Sequence, residues 1–201
     1  MQPKAMNLQP EKAMPRLFIA LPMPEEAQVA LEPLCVGLPG VHWTPVDDFH
    51  LTLRFIGEVD HATFYEIGEF LSSVVAPPFE LRLAGLGVFP PRGLPHTLWA
   101  GLEEGCHQHL MALRRRIERV LREAGVPPER RNFVPHVTLG RLTSASPEPR
   151  FAAWFARRAL FRSIAFPVSA FNLYSSQLRP EGALHLLEAS YDFVSGVMER
   201  A

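Results

Sequence analysis

Two short stretches carry side chains suited to chemistry: His50-Leu51-Thr52 within "FHLTLRFIG", and His136-Val137-Thr138 within "HVTLGRLT". Histidine gives or takes a proton near neutral pH, and a positioned proton donor or acceptor is typically worth about 10² to 10⁴-fold in rate. A threonine hydroxyl can donate to a non-bridging phosphoryl oxygen and hold charge that develops there. In the first stretch Phe49, Leu51, Leu53 and Phe55 alternate with His50, Thr52 and Arg54. That period of two predicts a half-buried strand, with the apolar set toward the core and the polar set outward. On such a strand a His and a Thr two positions apart share a face, about 7 Å from one another, and can approach one small ligand together.

The chain holds eight His and six Thr, so chance gives about 0.2 His-x-Thr pairs. Three occur. The third, His61-Ala62-Thr63, follows Asp60 at the start of a predicted helix, where residues two apart lie on different sides of the cylinder. The two strand-borne copies remain, and their recurrence in the two halves of the chain reads as an internal duplication. If each half contributes one strand and the halves pack with two-fold symmetry, two imidazoles flank one phosphorus, one as acid and one as base. Neither strand brings the third ligand that a zinc site wants. Gly85, Gly87 and Gly101 form neither a GxGxxG nor a P-loop pattern, so neither metal nor nucleotide cofactor is expected.

The elements that must position these groups follow from periodicity and punctuation. "RLFIALPM" reads as a strand and "PEEAQVAL" as a helix opened by Pro and two acids. "DHATFYEIGEFLSSVV" reads as a helix capped by Asp60, with Phe64, Ile67, Phe70, Leu71 and Val74 on one side. "FELRLAGLGVF" and "HTLWAGLEE" form an antiparallel pair across "PPRGLP". In "CHQHLMALRRRIERVLREAG" an apolar stripe runs through Leu110, Leu113, Ile117, Val120, Leu121 and Ala124 to a stop at Gly125. Arg114, Arg115, Arg116, Arg119 and Arg122 are left to a solvated outer face. The strand "HVTLGRLT" follows, then the helical "FAAWFARRALF", then the strands "FPVSAFNLYSSQL" and "ALHLLEASYDF" around the turn "RPEG". Antiparallel pairs with helices on one side make an α+β protein.

Composition narrows the function classes. With 47% hydrophobic and 20% charged residues the chain is of ordinary globular type, and no apolar run approaches the roughly 18 residues that span a bilayer. Residues 1–15 lack an apolar signal core and read as a flexible tail, so a cytoplasmic protein without membrane contact is expected. Cys35 and Cys106 lie in no CxxC or metal spacing and read as plain thiols. A net charge of -1 is not that of a long-tract nucleic-acid binder, so a phosphate ligand has to be gripped locally.

The stretches "RLFIALPMP", "FHLTLRFIGEV", "LAGLGVFP", "LWAGL", "FVPHVTLGR" and "FNLYSSQLRPEG" resemble the two-histidine (2H) phosphoesterases. Within that superfamily they resemble the RNA 2′,3′-cyclic phosphodiesterases, also called 2′-5′ RNA ligases, over roughly residues 16 to 195. The resemblance implies a single bilobal α+β domain over residues 16–196, with two pseudo-symmetric lobes, each an antiparallel sheet with helices outside, and a cleft between them. It implies metal-independent hydrolysis of an RNA 2′,3′-cyclic phosphate end to a 2′-phosphate. In that scheme His50 protonates the departing O3′, His136 activates water, and Thr52, Thr138 and Arg141 hold the phosphate. Phe18 and Trp43 are candidate surfaces for the terminal base to stack on. Strict alternation from His136 puts Arg141 on the wrong face, so its role requires the strand to twist or end near Gly140. Arg54 has the parity of His50 and is a weaker candidate. Where relatives often carry a tyrosine after the last glycine turn, this chain has His185 in "GALHLL", and the remaining histidines are assigned no catalysis. RNA with a cyclic phosphate end is the expected partner of a monomer. Binding of RNA ends without chemistry, and reversal of the reaction to join ends by a 2′-5′ linkage, are the alternatives.

Overall fold

The "RLFIALP" run forms the first strand, β1 (Arg16–Pro22), whose five central residues are all buried. Helix α1 (Glu25–Leu31) follows, with Glu25 and Glu26 at its positive end. Next come a three-residue strand β2 (Val41–Trp43), too short to show a pattern, then β3 (His50–Glu58) and α2 (His61–Ser72). The Asp60 carboxylate caps α2, accepting from the Thr63 amide at 2.8 Å and from the Thr63 hydroxyl at 3.1 Å. That engagement removes the third His-x-Thr from any site. The chain continues through β4 (Phe79–Leu81), β5 (Leu83–Phe89), β6 (Thr97–Leu102), α3 (His107–Glu123), β7 (His136–Leu142), α4 (Glu148–Arg157), β8 (Phe166–Val168), β9 (Ala170–Arg179) and β10 (Gly182–Asp192). This computed structural model describes residues 14–105, 107–142, 148–179 and 182–194. Residues 1–13 of the expected tail, Cys106 and the middle of the "RPEG" turn lie outside the described residues.

The main sheet is antiparallel, in the order β10-β9-β1-β3-β7-β6-β5, with β2 also on β7. Two expected strands are broken by one residue each. "FELRLAGLGVF" divides at Arg82 and "FPVSAFNLYSSQL" at Ser169, and the detached pieces β4 and β8 pair with each other, Phe79 opposite Val168. The two halves of the main sheet meet at β3 and β7 through the single rung Leu51–Val137. Farther along, β2 takes over that edge of β7, with Trp43 opposite Gly140 and Val41 opposite Leu142. Beyond the rung β2 thus occupies the place beside β7 that β3 would take if the ladder ran on.

The helices cover one face. Phe64, Ile67 and Leu71 of α2 and Leu110, Leu113, Ile117 and Leu121 of α3 join Ile19, Leu21, Leu51, Leu53, Val137 and Leu139 in one core. Each such fully buried side chain contributes about 1.5–3 kcal/mol. Gly125 ends α3 at φ +77°, a conformation that favours glycine.

A β-bulge in β3 corrects two expectations. Ala20 pairs with Thr52 and Ile19 with Arg54, so Leu53 is an extra residue and the alternation inverts beyond it. Arg54 therefore points down rather than outward. It is 6% exposed, in ion pairs with Glu118 of α3 and Glu129 of the following loop at 3.2 Å each, and it also donates to the Pro127 carbonyl. Phe55, expected in the core, turns outward and is 51% exposed. Arg114 likewise leaves the outer set on α3, because it donates to the Leu53 carbonyl at 3.2 Å and lies over the Phe133 ring.

Removing one partner from a buried ion pair strands the other charge, at a cost of about 3–5 kcal/mol. Arg54→Ala should lower unfolding stability by about 3 kcal/mol, read from the urea midpoint at constant slope. A loss under about 1 kcal/mol would show that Glu118 and Glu129 are satisfied without it.

Candidate active site

The rung between Leu51 and Val137 settles what stands above it. Both residues are fully buried, so their neighbours His50, Thr52, His136 and Thr138 all project from the opposite face. Continuing the antiparallel register sets His50 toward Thr138 and Thr52 toward His136, a two-fold arrangement about the rung. The sequence-predicted histidines and threonines are thus brought together.

Each histidine is held alike. The Nδ1 of His50 meets the carbonyl of Asp48 at 2.7 Å, and that of His136 the carbonyl of Val134, also at 2.7 Å. A carbonyl only accepts, so Nδ1 carries the hydrogen in both rings and donates it. The lone pair of each neutral imidazole is left on Nε2, the atom free to exchange a proton with a ligand. Burial pushes the His50 imidazole down to about 4, and proximity to His185 and His136 adds to the fall against the Asp48 carbonyl and carboxylate, which raise it. Burial lowers His136 as well, opposed by its Val134 hydrogen bond. Both rings are accordingly neutral in the unliganded protein at pH 7.

Arg141 reaches the same face through a second bulge. Trp99 pairs with Thr138 and Leu98 with Gly140, so Leu139 is supernumerary in β7 as Leu53 is in β3. The inversion places Arg141 beside Thr97, on the side of Thr138, and the positive charge of Arg141 lowers the His185 imidazole. The extra residue at Leu139, rather than an end of the strand, turns Arg141 to this face. Gly140 cannot carry a side chain here, because a Cβ would lie 2.8 Å from Val41 and 2.9 Å from the His42 carbonyl oxygen.

Aromatic rings line both sides. Phe18 lies under His50 at 5.2 Å and stacks on Tyr174 at 5.1 Å. Opposite, Phe89 meets His136 edge-on at 4.9 Å and Trp99 lies 6.0 Å from it. Trp99 lies flat across Gly87, where an added Cβ would come within 2.1 Å of the indole. Neither expected stacking surface is open on the histidine face. Phe18 is 2% exposed, with its surroundings filled by Tyr174, His50 and His185. Trp43 shares the core-side position of Gly140 and packs on Trp154. The sequence reading missed Phe55, an exposed ring 5.9 Å from Phe18 on the histidine face, and His185, whose ring stands edge-on to His50 at 5.3 Å. The departure from the family pattern at His185 was the one sequence signal for it, whereas nothing in the spelling of β3 announced its bulge.

Among the described residues no three His, Cys, Asp or Glu side chains converge as a metal-ligand set. No helix among them is long and apolar enough to cross a membrane. Cys35 is free and half-buried, its thiol pushed up to about 11 by burial and by Glu32.

Comparison with known proteins identifies the fold and the family. The protein TT0787 of Thermus thermophilus superposes with a TM-score of 0.71 at 26% identity, covering 89% of this chain and 97% of that one. E. coli LigT in its apo form does so with a TM-score of 0.71 at 21% identity, covering 92% and 100%, a likeness of fold. The fold is that of the 2H phosphoesterases. The model of the 2′-5′ RNA ligase superfamily matches residues 39–179, and the chain belongs to that family. The RNA 2′,3′-cyclic phosphodiesterase of Aeropyrum pernix is 36% identical over 148 residues, covering 73% of this chain and 84% of that protein. The protein of the same name from Thermotoga maritima is 32% identical over 197 residues, covering 92% and 100%.

A histidine whose folded value lies below its ordinary 6.5 binds fewer protons than the unfolded chain in the interval between them. Its contribution to stability is complete above pH 6.5 and is lost as pH falls toward about 4. Proton NMR of the His50 ring should give a midpoint near 4, and His50→Gln should weaken the loss of stability between pH 6.5 and 4. A His50 midpoint at 6.5 would contradict the buried, Nδ1-tethered environment.

Proposed function

We propose that this protein hydrolyses RNA 2′,3′-cyclic phosphate ends to 2′-phosphates by metal-independent acid–base catalysis between His50 and His136. The observation that carries the reading is the matched pair of imidazoles, each tethered through Nδ1 to a carbonyl two residues back and each flanked by a threonine on one sheet face. Membership of a family whose relatives bear the name of this activity supports it.

The steps follow from the tautomers. In the reacting complex His136 is neutral and takes a proton from water at Nε2, while the water oxygen bonds to phosphorus. The P–O3′ bond breaks in line, and His50, protonated at Nε2, gives its proton to O3′. The products are a 2′-phosphomonoester and a 3′-hydroxyl, and solvent exchange restores both rings. An anionic phosphate between the rings favours their charged forms, which offsets the burial that keeps His50 neutral beforehand. Thr52 and Thr138 donate to the non-bridging oxygens, and Arg141 adds positive charge from the second lobe. Phe55 replaces Phe18 and Trp43 as the stacking surface for the terminal base, since it alone of the three shows an open ring on this face.

An oligoribonucleotide ending in a 2′,3′-cyclic phosphate, incubated with the protein and a chelator, should yield a 2′-phosphate terminus. His50→Ala and His136→Ala should each lower kcat by at least about 10²-fold without unfolding the protein. A 3′-phosphate product would reverse the assigned acid and base, and tight binding with no turnover would replace the enzyme by a binding module. In the same assay Phe55→Ala should raise KM about 10-fold and leave kcat within about 3-fold, the size of one lost stacking contact; an unchanged KM would free the base from Phe55.

A further inference from the structure

His185 stands on β10, yet its ring reaches the catalytic neighbourhood. It lies edge-on to Phe18 at 4.9 Å and to His50 at 5.3 Å, within the field of Arg141 from β7 and Asp48 from the turn before β3. Its Nδ1 is buried and finds no hydrogen-bond partner, whereas Nε2 is not among the buried unpaired atoms. A buried N–H with nothing to donate to is rarer in proteins than an under-used acceptor, and a charged ring would place a hydrogen on both nitrogens. The neutral form with hydrogen on Nε2 alone satisfies both constraints. That is the opposite tautomer to His50 and His136, whose Nδ1 atoms donate to carbonyls. The site therefore presents two lone pairs and one fixed N–H donor.

We propose that His185 is a substrate-binding residue which donates from Nε2 to an anionic oxygen of the RNA end, on the His50 side of the cyclic phosphate. The proposal rests on the cyclic phosphodiesterase reading for the identity of the ligand, while the tautomer follows from the packing alone. Because charging His185 would leave a buried Nδ1–H with no acceptor, the neutral ring adds a hydrogen bond without repelling the imidazolium that His50 must become. Burial lowers the His185 imidazole, Asp48 opposes that fall and Arg141 adds to it. His185 thereby selects for a phosphate oxygen at a position where Phe18 offers only ring edges and faces.

Two measurements test this. Nitrogen-15 NMR of the histidine side chains should show His185 protonated at Nε2 in the unliganded protein, with His50 and His136 protonated at Nδ1; His185 protonated at Nδ1 would overturn the proposal whatever the enzyme does. Kinetics with the cyclic-phosphate oligoribonucleotide, alongside binding of a nucleoside 2′-monophosphate, test the role. His185→Phe keeps a ring on Phe18 and removes the donor, and should raise both KM and the product Kd about 10-fold with kcat within about 3-fold. His185→Gln, which restores an N–H at similar reach, should recover most of the affinity. Unchanged KM and Kd in a folded His185→Phe protein, or a lost limb of the pH–rate profile in place of lost affinity, would overturn the proposal. Absence of turnover in the wild type, with the NMR result intact and the 2′-monophosphate still bound through His185, would instead overturn the proposed function.

Discussion

One main-chain contact, the rung between Leu51 and Val137, governs the arrangement of everything above it. Because both side chains are buried, the residues on either side in each strand have only the opposite face available. An antiparallel rung is itself two-fold symmetric, so one pair of His-x-Thr strands yields two equivalent half-sites without further instruction. Beyond the rung β2 takes the edge of β7, so the β3–β7 ladder does not continue there. The bulges at Leu53 and Leu139 fall one residue after each threonine and reverse the alternation there. In β3 the reversal buries Arg54 beneath the sheet and exposes Phe55; in β7 it brings Arg141 up beside Thr138.

The chemistry depends on the carbonyls as much as on the rings. Donation from Nδ1 fixes the tautomer and orientation of His50 and His136, which leaves no rotamer search for the moment of proton transfer. Burial lowers both imidazoles, so in the proposed reaction the charged forms would come with the anion that favours them. Beneath, the Arg54–Glu118–Glu129 cluster ties β3 to α3 and to the loop that leads into β7, so the ion pairs that anchor one half-site also hold the approach to the other.

Much of this was legible in the sequence because it rests on local rules. The paired motifs, the apolar stripe of α3, the Asp60 cap and the glycine stop at Gly125 all use interactions within a few residues. The decoy at His61 was separable for the same reason, since a helix cannot present residues two apart together. Bulges are different, because an extra residue shows only against a partner strand. Phe55 and Arg54 were therefore assigned to each other's faces, while the twist that Arg141 needs was placed near Gly140 without being recognised as an extra residue at Leu139. Phe18 and Trp43 failed as open surfaces because their coverage comes from Tyr174, His185 and Trp154, residues more than a hundred positions away. His185 was set aside because its neighbours in sequence offer no second polar group; its neighbours in space are His50 and Phe18.

The central claim is that two imidazoles from different halves of the sheet converge on one phosphorus. A crystal structure of the complex with a nucleoside 2′-monophosphate tests it most directly. The account predicts a single phosphate hydrogen-bonded by Nε2 of both His50 and His136, with the Thr52 and Thr138 hydroxyls on its remaining oxygens. A phosphate held by one histidine alone, or seated away from the Leu51–Val137 rung, would contradict it.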